Sequence, residues 1–152
     1  REITTNGIQG FDIFQTQEQF PTVRITPQRK SPNLSILCYG EMLHEVESAI
    51  ERAFDEEEVL AEVICFTSLQ PVNAFPLLES VRKTGKLLTI EEGSSFSSFS
   101  SELIAYLIEK RVSINHLRRM GNESIIPCSL PAELNLIPNS HSIFQLIKEV
   151  AS

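Results

Sequence analysis

Apolar runs and amphipathic stretches alternate along residues 34–150 of this chain. Leu34–Tyr39 is a nearly continuous apolar run, which is typical of a strand buried on both faces of a sheet. After Gly40 the apolar residues recur at helical spacing, with glutamates on the opposite face; these positions are Met42, Leu43, Val46, Ala49, Ile50, Ala53 and Phe54. The pattern predicts a strand followed by an amphipathic helix, which the acidic run Asp55–Glu58 ends in solvent.

The same cycle recurs towards the C-terminus. Further strands are predicted at 61–66, 87–90 and 112–117. A helix from Asn73 to Lys83 has Gly85 as its C-cap, and its apolar positions are Phe75, Leu78 and Val81. Two more helices are predicted around 103–108 and at 143–150. Strands that alternate with amphipathic helices imply an α/β fold, in which a mostly parallel sheet lies between two helical layers as a three-layer αβα sandwich.

Residues 1–33 differ from the regular part at 34–152. They are rich in glutamine and threonine, and only Thr22–Thr26 alternates as a strand does. Pro21 and Pro27 bracket that segment, and prolines at both ends favour an edge strand, where a missing donor costs nothing. We expect the first twenty residues to form a linker or an arm.

Composition and charge narrow the function classes. The chain has 152 residues, of which 41% are hydrophobic, as in one globular domain; three cysteines are too few for a disulfide scaffold. No apolar run reaches the roughly 20 residues of a membrane helix, and the polar N-terminus lacks a signal-peptide pattern. We therefore expect a cytoplasmic protein with free thiols that does not bind a membrane.

The formal net charge of -7 argues against nucleic acid as a partner, because an acidic surface repels phosphates. Basic residues cluster only locally, as Arg82, Lys83 and Lys86 and as Arg118 and Arg119. Either cluster could hold a small anion, and a basic partner could instead dock on the acidic faces. Both alternatives stay open from the sequence.

The candidate chemistry lies at the carboxyl ends of the predicted strands, where ligands bind in open α/β sheets; these ends include Glu91–Gly93 and Arg118–Gly121. Glu91 and Glu92, before Gly93, are the candidates for acid–base or ion-pair work. Neighbouring side chains on a strand point to opposite faces, so we expect a structural or interface role instead of catalysis. The scattered histidines and cysteines predict no metal site, and no nucleotide-binding glycine loop or catalytic nucleophile pattern follows a strand. Of the cysteines, Cys128 is expected to be exposed, and Cys38 and Cys65 to be buried.

The serine run Ser94–Ser101 is the most unusual segment. One interpretation is a loop in which Ser100 or Ser101 caps the following helix. The other is an exposed apolar patch formed by Phe96 and Phe99, which would meet a partner. Frequent use of serine at helix starts favours the cap.

An ordered series of segments resembles a known domain. Its members are Leu34–Gly40 as the opening strand and glycine, Leu69–Asn73 as a Leu-x-Pro-Leu-Asp turn, the specific stretch Glu79–Gly93, Glu102 as a helix acid, Arg119–Gly121 as an Arg-hydrophobic-Gly step, and Ile143–Val150 as the closing helix. The series resembles the C-terminal domain of transketolase-like, thiamine-diphosphate enzymes, in particular the beta subunits of 2-oxo acid dehydrogenases. The resemblance covers about residues 33 to 150.

That resemblance implies a mixed five-stranded sheet with one antiparallel edge strand, for which Val23–Thr26 is the candidate. It implies that thiamine diphosphate and magnesium are held by other domains of the parent enzyme, so this chain alone has no catalytic residue and binds no cofactor. It also implies homodimer contacts and docking of an acyltransferase core. The serine run replaces a glycine-rich loop of the family, and transketolase or deoxyxylulose-phosphate synthase remain alternative subfamilies. A free-standing α/β module that binds an anion or a partner protein through Arg118 and Arg119 is the other function considered.

Overall fold

The computed structural model describes residues 7–125, 127–131 and 135–152. Its strands are β1 (Phe11–Gln15), β2 (Val23–Pro27), β3 (Leu34–Tyr39), β4 (Ala61–Phe66), β5 (Lys86–Ser94) and β6 (His116–Asn122). Its helices within these ranges are α1 (Met42–Glu57), α2 (Phe75–Thr84), α3 (Phe99–Glu109) and α4 (Ser140–Ala151). The predicted alternation of strands and helices from Leu34 onwards is confirmed.

The strands form one sheet in the order β1-β2-β4-β3-β5-β6. Strands β4, β3, β5 and β6 run parallel to one another, and β2 is antiparallel to both of its neighbours. The mostly parallel α/β sheet with an antiparallel strand at Val23–Pro27 is therefore confirmed. The sheet has six strands instead of five, however, and β2 lies second from the edge.

The edge strand beside β2 is β1, which lies in the segment for which the sequence predicts a linker or an arm. Phe11 and Ile13 face the α1 side of the sheet, and the Phe11 ring packs edge-on against Phe54 of α1 with centroids 5.8 Å apart. The loop Thr16–Thr22 joins β1 to β2, and the Thr16 backbone N–H donates to the Thr22 carbonyl at 3.1 Å across its ends. Burial of the Phe11 ring and backbone pairing with β2 along the whole of β1 together stabilise this short strand.

The strand predicted at 112–117 lies instead at His116–Asn122. Val112 is buried directly after the end of α3, and its backbone N–H donates to the Leu107 carbonyl at 3.0 Å. The N–H of Arg111, which has φ +56°, donates to the Ile108 carbonyl at 2.9 Å. These two bonds form the Schellman motif that commonly ends a helix. The apolar character of Val112 therefore reflects the end of a helix, and β6 begins only at His116.

Alternate residues of the central strands face the two helical layers. Ile36, Val63 and Leu88 pack with α1 and α4, whereas Leu37, Ile64 and Leu87 pack with α2 and α3. The predicted three-layer sandwich is confirmed. Burial of both faces is the reason that these strands are continuous apolar runs without polar alternation.

Two kinds of functional feature are missing from residues 7–125, 127–131 and 135–152. No helix in these ranges is both long and apolar enough to cross a bilayer. Within the same ranges, no group of three or more histidine, cysteine, aspartate or glutamate side chains is arranged to hold a metal ion. All three cysteines are free thiols; Cys38 and Cys65 are buried and Cys128 is exposed, as predicted.

Candidate functional site

Glu91 lies at the carboxyl end of β5, where the pairing with β6 becomes irregular. Its side chain is only 2% exposed, and its carboxylate accepts hydrogen bonds from the backbone N–H of Ser100, at 3.2 Å, and from the Ser100 hydroxyl. A carboxylate at this position satisfies a free N–H of the first turn of α3 and complements the positive end of the helix dipole. Glu91 therefore caps α3.

The prediction that Ser100 or Ser101 caps the helix is wrong. Ser98 occupies the N-cap position, and its side chain makes no capping hydrogen bond. Glu91, nine positions before Ser100 in the chain, supplies the acceptor. The sequence signals for a helix cap are residues adjacent to the helix start. A capping side chain from a neighbouring strand is distant in sequence and therefore cannot be recognised in this way.

Glu92 is exposed, in contrast to Glu91. The two carboxylates therefore do not share a site, as the alternation of side chains along a strand predicts. Tyr39, at the end of β3, lies close to this corner. The pKa of the Tyr39 hydroxyl is raised, mainly because the group is partly buried and also because Glu91 and Glu92 are negatively charged.

The sequence predicts that Arg118 and Arg119 follow a strand, but they lie within β6, because that strand begins only at His116. Their side chains project towards opposite faces of the sheet. Arg118 pairs with Glu149 of α4 at 2.9 Å. The Arg119 guanidinium donates to the Ser95 carbonyl and to the hydroxyls of Ser98, at 3.2 Å, and of Ser101, at 3.1 Å. The arginines are therefore not brought together as one anion site, and Arg119 holds the serine run in place. We call the part of this run between β5 and α3, Ser95–Ser98, the serine loop.

Gly93 and Gly121 meet beside the serine loop. A Cβ on Gly121 would lie 2.9 Å from the Gly93 carbonyl oxygen and 3.2 Å from the Ser95 nitrogen, whereas a Cβ on Gly93 would approach only the Tyr39 hydroxyl, at 3.9 Å. The backbones of β5 and β6 can therefore approach closely only because residue 121 lacks a side chain.

Phe96 and Phe99 do not form one patch. Phe96 is 89% exposed, whereas Phe99 packs edge-on against Phe66 and Tyr39 with centroids 5.5 and 5.7 Å apart. Of the two rings, only Phe96 is fully exposed, at the tip of the serine loop.

A cleft that the sequence did not reveal lies between the loop after β4 and helix α3. Its volume is about 540 Å³, and its apolar and aromatic lining includes Leu69, Val72, Phe75, Phe99 and Tyr106. We call it the aromatic cleft. Phe75, expected among the apolar contacts of α2, is 58% exposed and lies at the cleft. Leu77, Leu78 and Val81 take the core positions of α2, so Phe75 at its first turn points away from the core.

Known proteins are similar in sequence to this chain over most of its length. Two relatives are the pyruvate dehydrogenase E1 component subunit beta of Bacillus subtilis, 24% identical over 126 residues, and that of Staphylococcus aureus, 26% identical over 125 residues. The matches cover 81% and 80% of this chain, and 38% of each relative. The chain therefore spans about two fifths of the length of these relatives.

Two solved structures share the fold. A split-gene transketolase, an inactive beta4 tetramer, superposes with a TM-score of 0.65 at 22% identity, over 80% of this chain and 40% of that one. A 2-oxoglutarate:ferredoxin oxidoreductase from Magnetococcus marinus superposes with a TM-score of 0.59 at 12% identity, over 86% of this chain and 20% of that one. The family model described as transketolase, C-terminal domain, matches residues 24–142. The chain belongs to the transketolase C-terminal domain family.

Proposed function

We propose that this chain is the assembly domain of a thiamine-diphosphate enzyme of the pyruvate dehydrogenase beta-subunit type, and that it is not catalytic alone. The observation that carries the proposal is the match of residues 24–142 to the transketolase C-terminal domain, in a chain that spans only about two fifths of its beta-subunit relatives. The remaining part of such an enzyme supplies the chemistry. A cytoplasmic location and homodimer contacts belong to the same proposal.

The described residues of this chain do not fit a site for thiamine diphosphate and magnesium. Magnesium in such sites is held by one or two carboxylates together with phosphate oxygens, and the two carboxylates at the end of β5, Glu91 and Glu92, point to opposite faces of the sheet. Glu91, the buried carboxylate at the strand ends, is engaged by Ser100. We therefore assign both groups to the other domains of the parent enzyme and derive no catalytic step in this chain.

The strand-end contacts support a structural role for this corner of the domain. Glu91 caps α3, and Arg119 holds the serine loop, so both side chains act on the chain itself. Arg118 is paired with Glu149. These engagements favour an assembly domain over the alternative module that binds a small anion through the two arginines.

Reconstitution tests the proposal. The chain is mixed with the cofactor-binding part of the pyruvate dehydrogenase-type E1 enzyme from the same organism, and the mass of the product is measured by light scattering. We expect a stable complex that decarboxylates a 2-oxo acid only when both parts, thiamine diphosphate and magnesium are present. A chain that stays monomeric at high concentration, with no affinity for the other part, would contradict the proposal.

The native mass of the polypeptide decides which form of the parent enzyme applies. An immunoblot band at about twice 17.1 kDa or more, as two domains of this size would give, would place the partner domains in the same chain. A band near 17.1 kDa would place them in a separate subunit.

Docking of an acyltransferase core is then measured on the reconstituted complex.

A further inference from the structure

The aromatic cleft leaves large apolar side chains in contact with water. Leu69 is 49% exposed and Phe75 is 58% exposed, and they lie on either side of the Gln70–Asn73 turn. Soluble domains rarely leave several large apolar residues together at the surface unless the patch is used.

A second depression continues this surface across the sheet. It has a volume of about 460 Å³ and lies on the face of β1 and β2 next to α2, between Phe14 and Glu79. Asn73 and Phe75 border both depressions. Phe14 is more than half exposed, so apolar surface extends from β1 across Phe75 into the aromatic cleft.

Two carboxylates border the aromatic cleft. Glu102 of α3 lines it, and Glu18 accepts a hydrogen bond from the Asn73 side chain at its border. We call these two residues the acidic rim. The hydrogen bond from Thr16 lowers the pKa of Glu18, which favours its charged form. Arg24, which lines the second depression, is already held by Glu62 at 2.8 Å and by Glu79 at 3.5 Å. Among the described residues, no ion pair is made to either carboxylate of the rim.

Aromatic rings beside carboxylates suit a cation that is carried on an apolar stem. Such rings attract lysine or arginine through their faces, and carboxylates pair with the charged head. The chain already uses one ring in this way, because the Lys110 ammonium lies 5.5 Å from the centroid of the Tyr106 ring.

We propose that the aromatic cleft and its acidic rim form the docking surface for a partner polypeptide segment that presents lysine or arginine between apolar residues. The proposal rests on the proposed function only in treating the chain as an assembly domain. A second copy of the chain fits this surface poorly, since a symmetric contact would set the acidic rim of one copy against that of the other.

A peptide binding experiment tests this surface without the remaining enzyme. The probe is a short synthetic peptide of leucine and lysine at helical spacing, titrated into the 15N-labelled chain and followed by NMR. We expect the amide signals of residues 69–75 and 99–106 to shift. Shifts centred on the acidic run Asp55–Glu58, or equal binding of the matched leucine–glutamate peptide, would overturn the proposal.

Matched variants separate the cleft from general attraction to an acidic protein. E102K reverses a charge of the rim and should weaken peptide binding by about tenfold, as expected when an attraction becomes a repulsion. E109K makes the same charge change on the exposed part of α3 outside the cleft and should alter affinity by less than about twofold. An equal loss in both variants would overturn the proposal.

The apolar contribution has its own pair of variants. F75S removes an exposed ring at the cleft and should weaken binding by at least about fivefold, whereas I108S removes an exposed apolar residue of α3 outside the cleft and should change little. Circular dichroism confirms that each variant is folded, and E102Q replaces E102K if the reversal unfolds the chain. Because no other enzyme part is present, failure of this experiment leaves the reconstitution result untouched, and the reverse also holds.

Discussion

Arg24 of β2 donates from its Nε to the Glu62 carboxylate of β4 at 2.8 Å, and so ties the antiparallel strand to the parallel part of the sheet. Glu62 is 1% exposed, whereas Arg24 is partly exposed and also reaches Glu79, at 3.5 Å. A carboxylate this deeply buried is stable in its charged form only when a cation and hydrogen bonds compensate for the lost water.

We expect R24M to lower the free energy of unfolding by about 2–4 kcal/mol, because it leaves the buried Glu62 without its cation. Urea unfolding followed by circular dichroism measures this. The matched control is E79Q, which removes only the outer, more exposed ion pair of Arg24 and should cost less than about 0.5 kcal/mol. Equal losses in the two variants would contradict the importance of the Arg24–Glu62 contact.

The pH dependence of stability should carry the signature of Glu62. Burial works to raise the pKa of Glu62, but hydrogen bonds from Ser80 and Arg24 and the charge of Arg24 outweigh it, and the pKa lies below the ordinary value of 4.5. A group whose pKa is lower in the folded chain stabilises it fully above the unfolded pKa, and that stabilisation is lost as the pH falls through the folded pKa. Wild-type chain should therefore lose more stability than E62Q on acidification below pH about 5. Parallel pH profiles would rule this out.

The cap provided by Glu91 predicts a difference between neighbouring glutamates. E91Q keeps an oxygen acceptor but loses the charge at the amino end of α3, and should lower the free energy of unfolding by about 1–2 kcal/mol. E92Q removes an exposed carboxylate one position along and should stay within about 0.5 kcal/mol of wild type. Chemical denaturation compares the two, and a larger effect of E92Q would refute the capping role.

Arg119 should set the mobility of the serine loop. R119M removes the donor to the Ser95 carbonyl and to the hydroxyls of Ser98 and Ser101, so the amides of this loop should exchange with deuterium at least about tenfold faster. R118M breaks only the surface pair with Glu149 and should leave the loop unchanged. Hydrogen exchange measured by NMR decides the point, and similar rates in both variants would count against the role of Arg119.

The close approach of β5 and β6 distinguishes two glycines. G121A would place a methyl group 2.9 Å from the Gly93 carbonyl, and should destabilise the chain by about 1–3 kcal/mol through overpacking. G93A meets only the Tyr39 hydroxyl at 3.9 Å and should cost less than about 1 kcal/mol. Thermal unfolding of the two variants gives the comparison, and the reverse order would show that the strands can separate without cost.

Local periodicity was sufficient to predict α1 and the buried strands β3 and β4. The apolar stripe of Met42–Glu57 repeats at helical spacing, and Leu34–Tyr39 and Ala61–Phe66 are apolar runs, each interrupted only at its second residue. These patterns are local because one helix face, or both faces of a strand, meet a core along their whole length. The opposite orientations of Glu91 and Glu92 followed from the same geometry of the strand.

What depended on contacts between distant residues could not be predicted from the pattern. β1 is short and half polar, and it is a strand only because Phe11 packs on Phe54 and its backbone pairs with β2. The pattern predicts a strand at Val112 because a buried residue at a helix end is as apolar as one in a strand, and the sequence alone does not distinguish the two.

The sequence by itself therefore determined the family and the α/β class, and it singled out Glu91 and Arg119 as candidate residues. The tertiary structure decided what those residues do: Glu91 caps a helix that begins after the serine loop, and Arg119 holds that loop from a strand about twenty positions further along the chain. It also decided that Phe75 lies in an open cleft and not in the core. Periodicity records which residues avoid water on average, whereas hydrogen-bond partners and exposure are set by the elements that the folded chain places beside them.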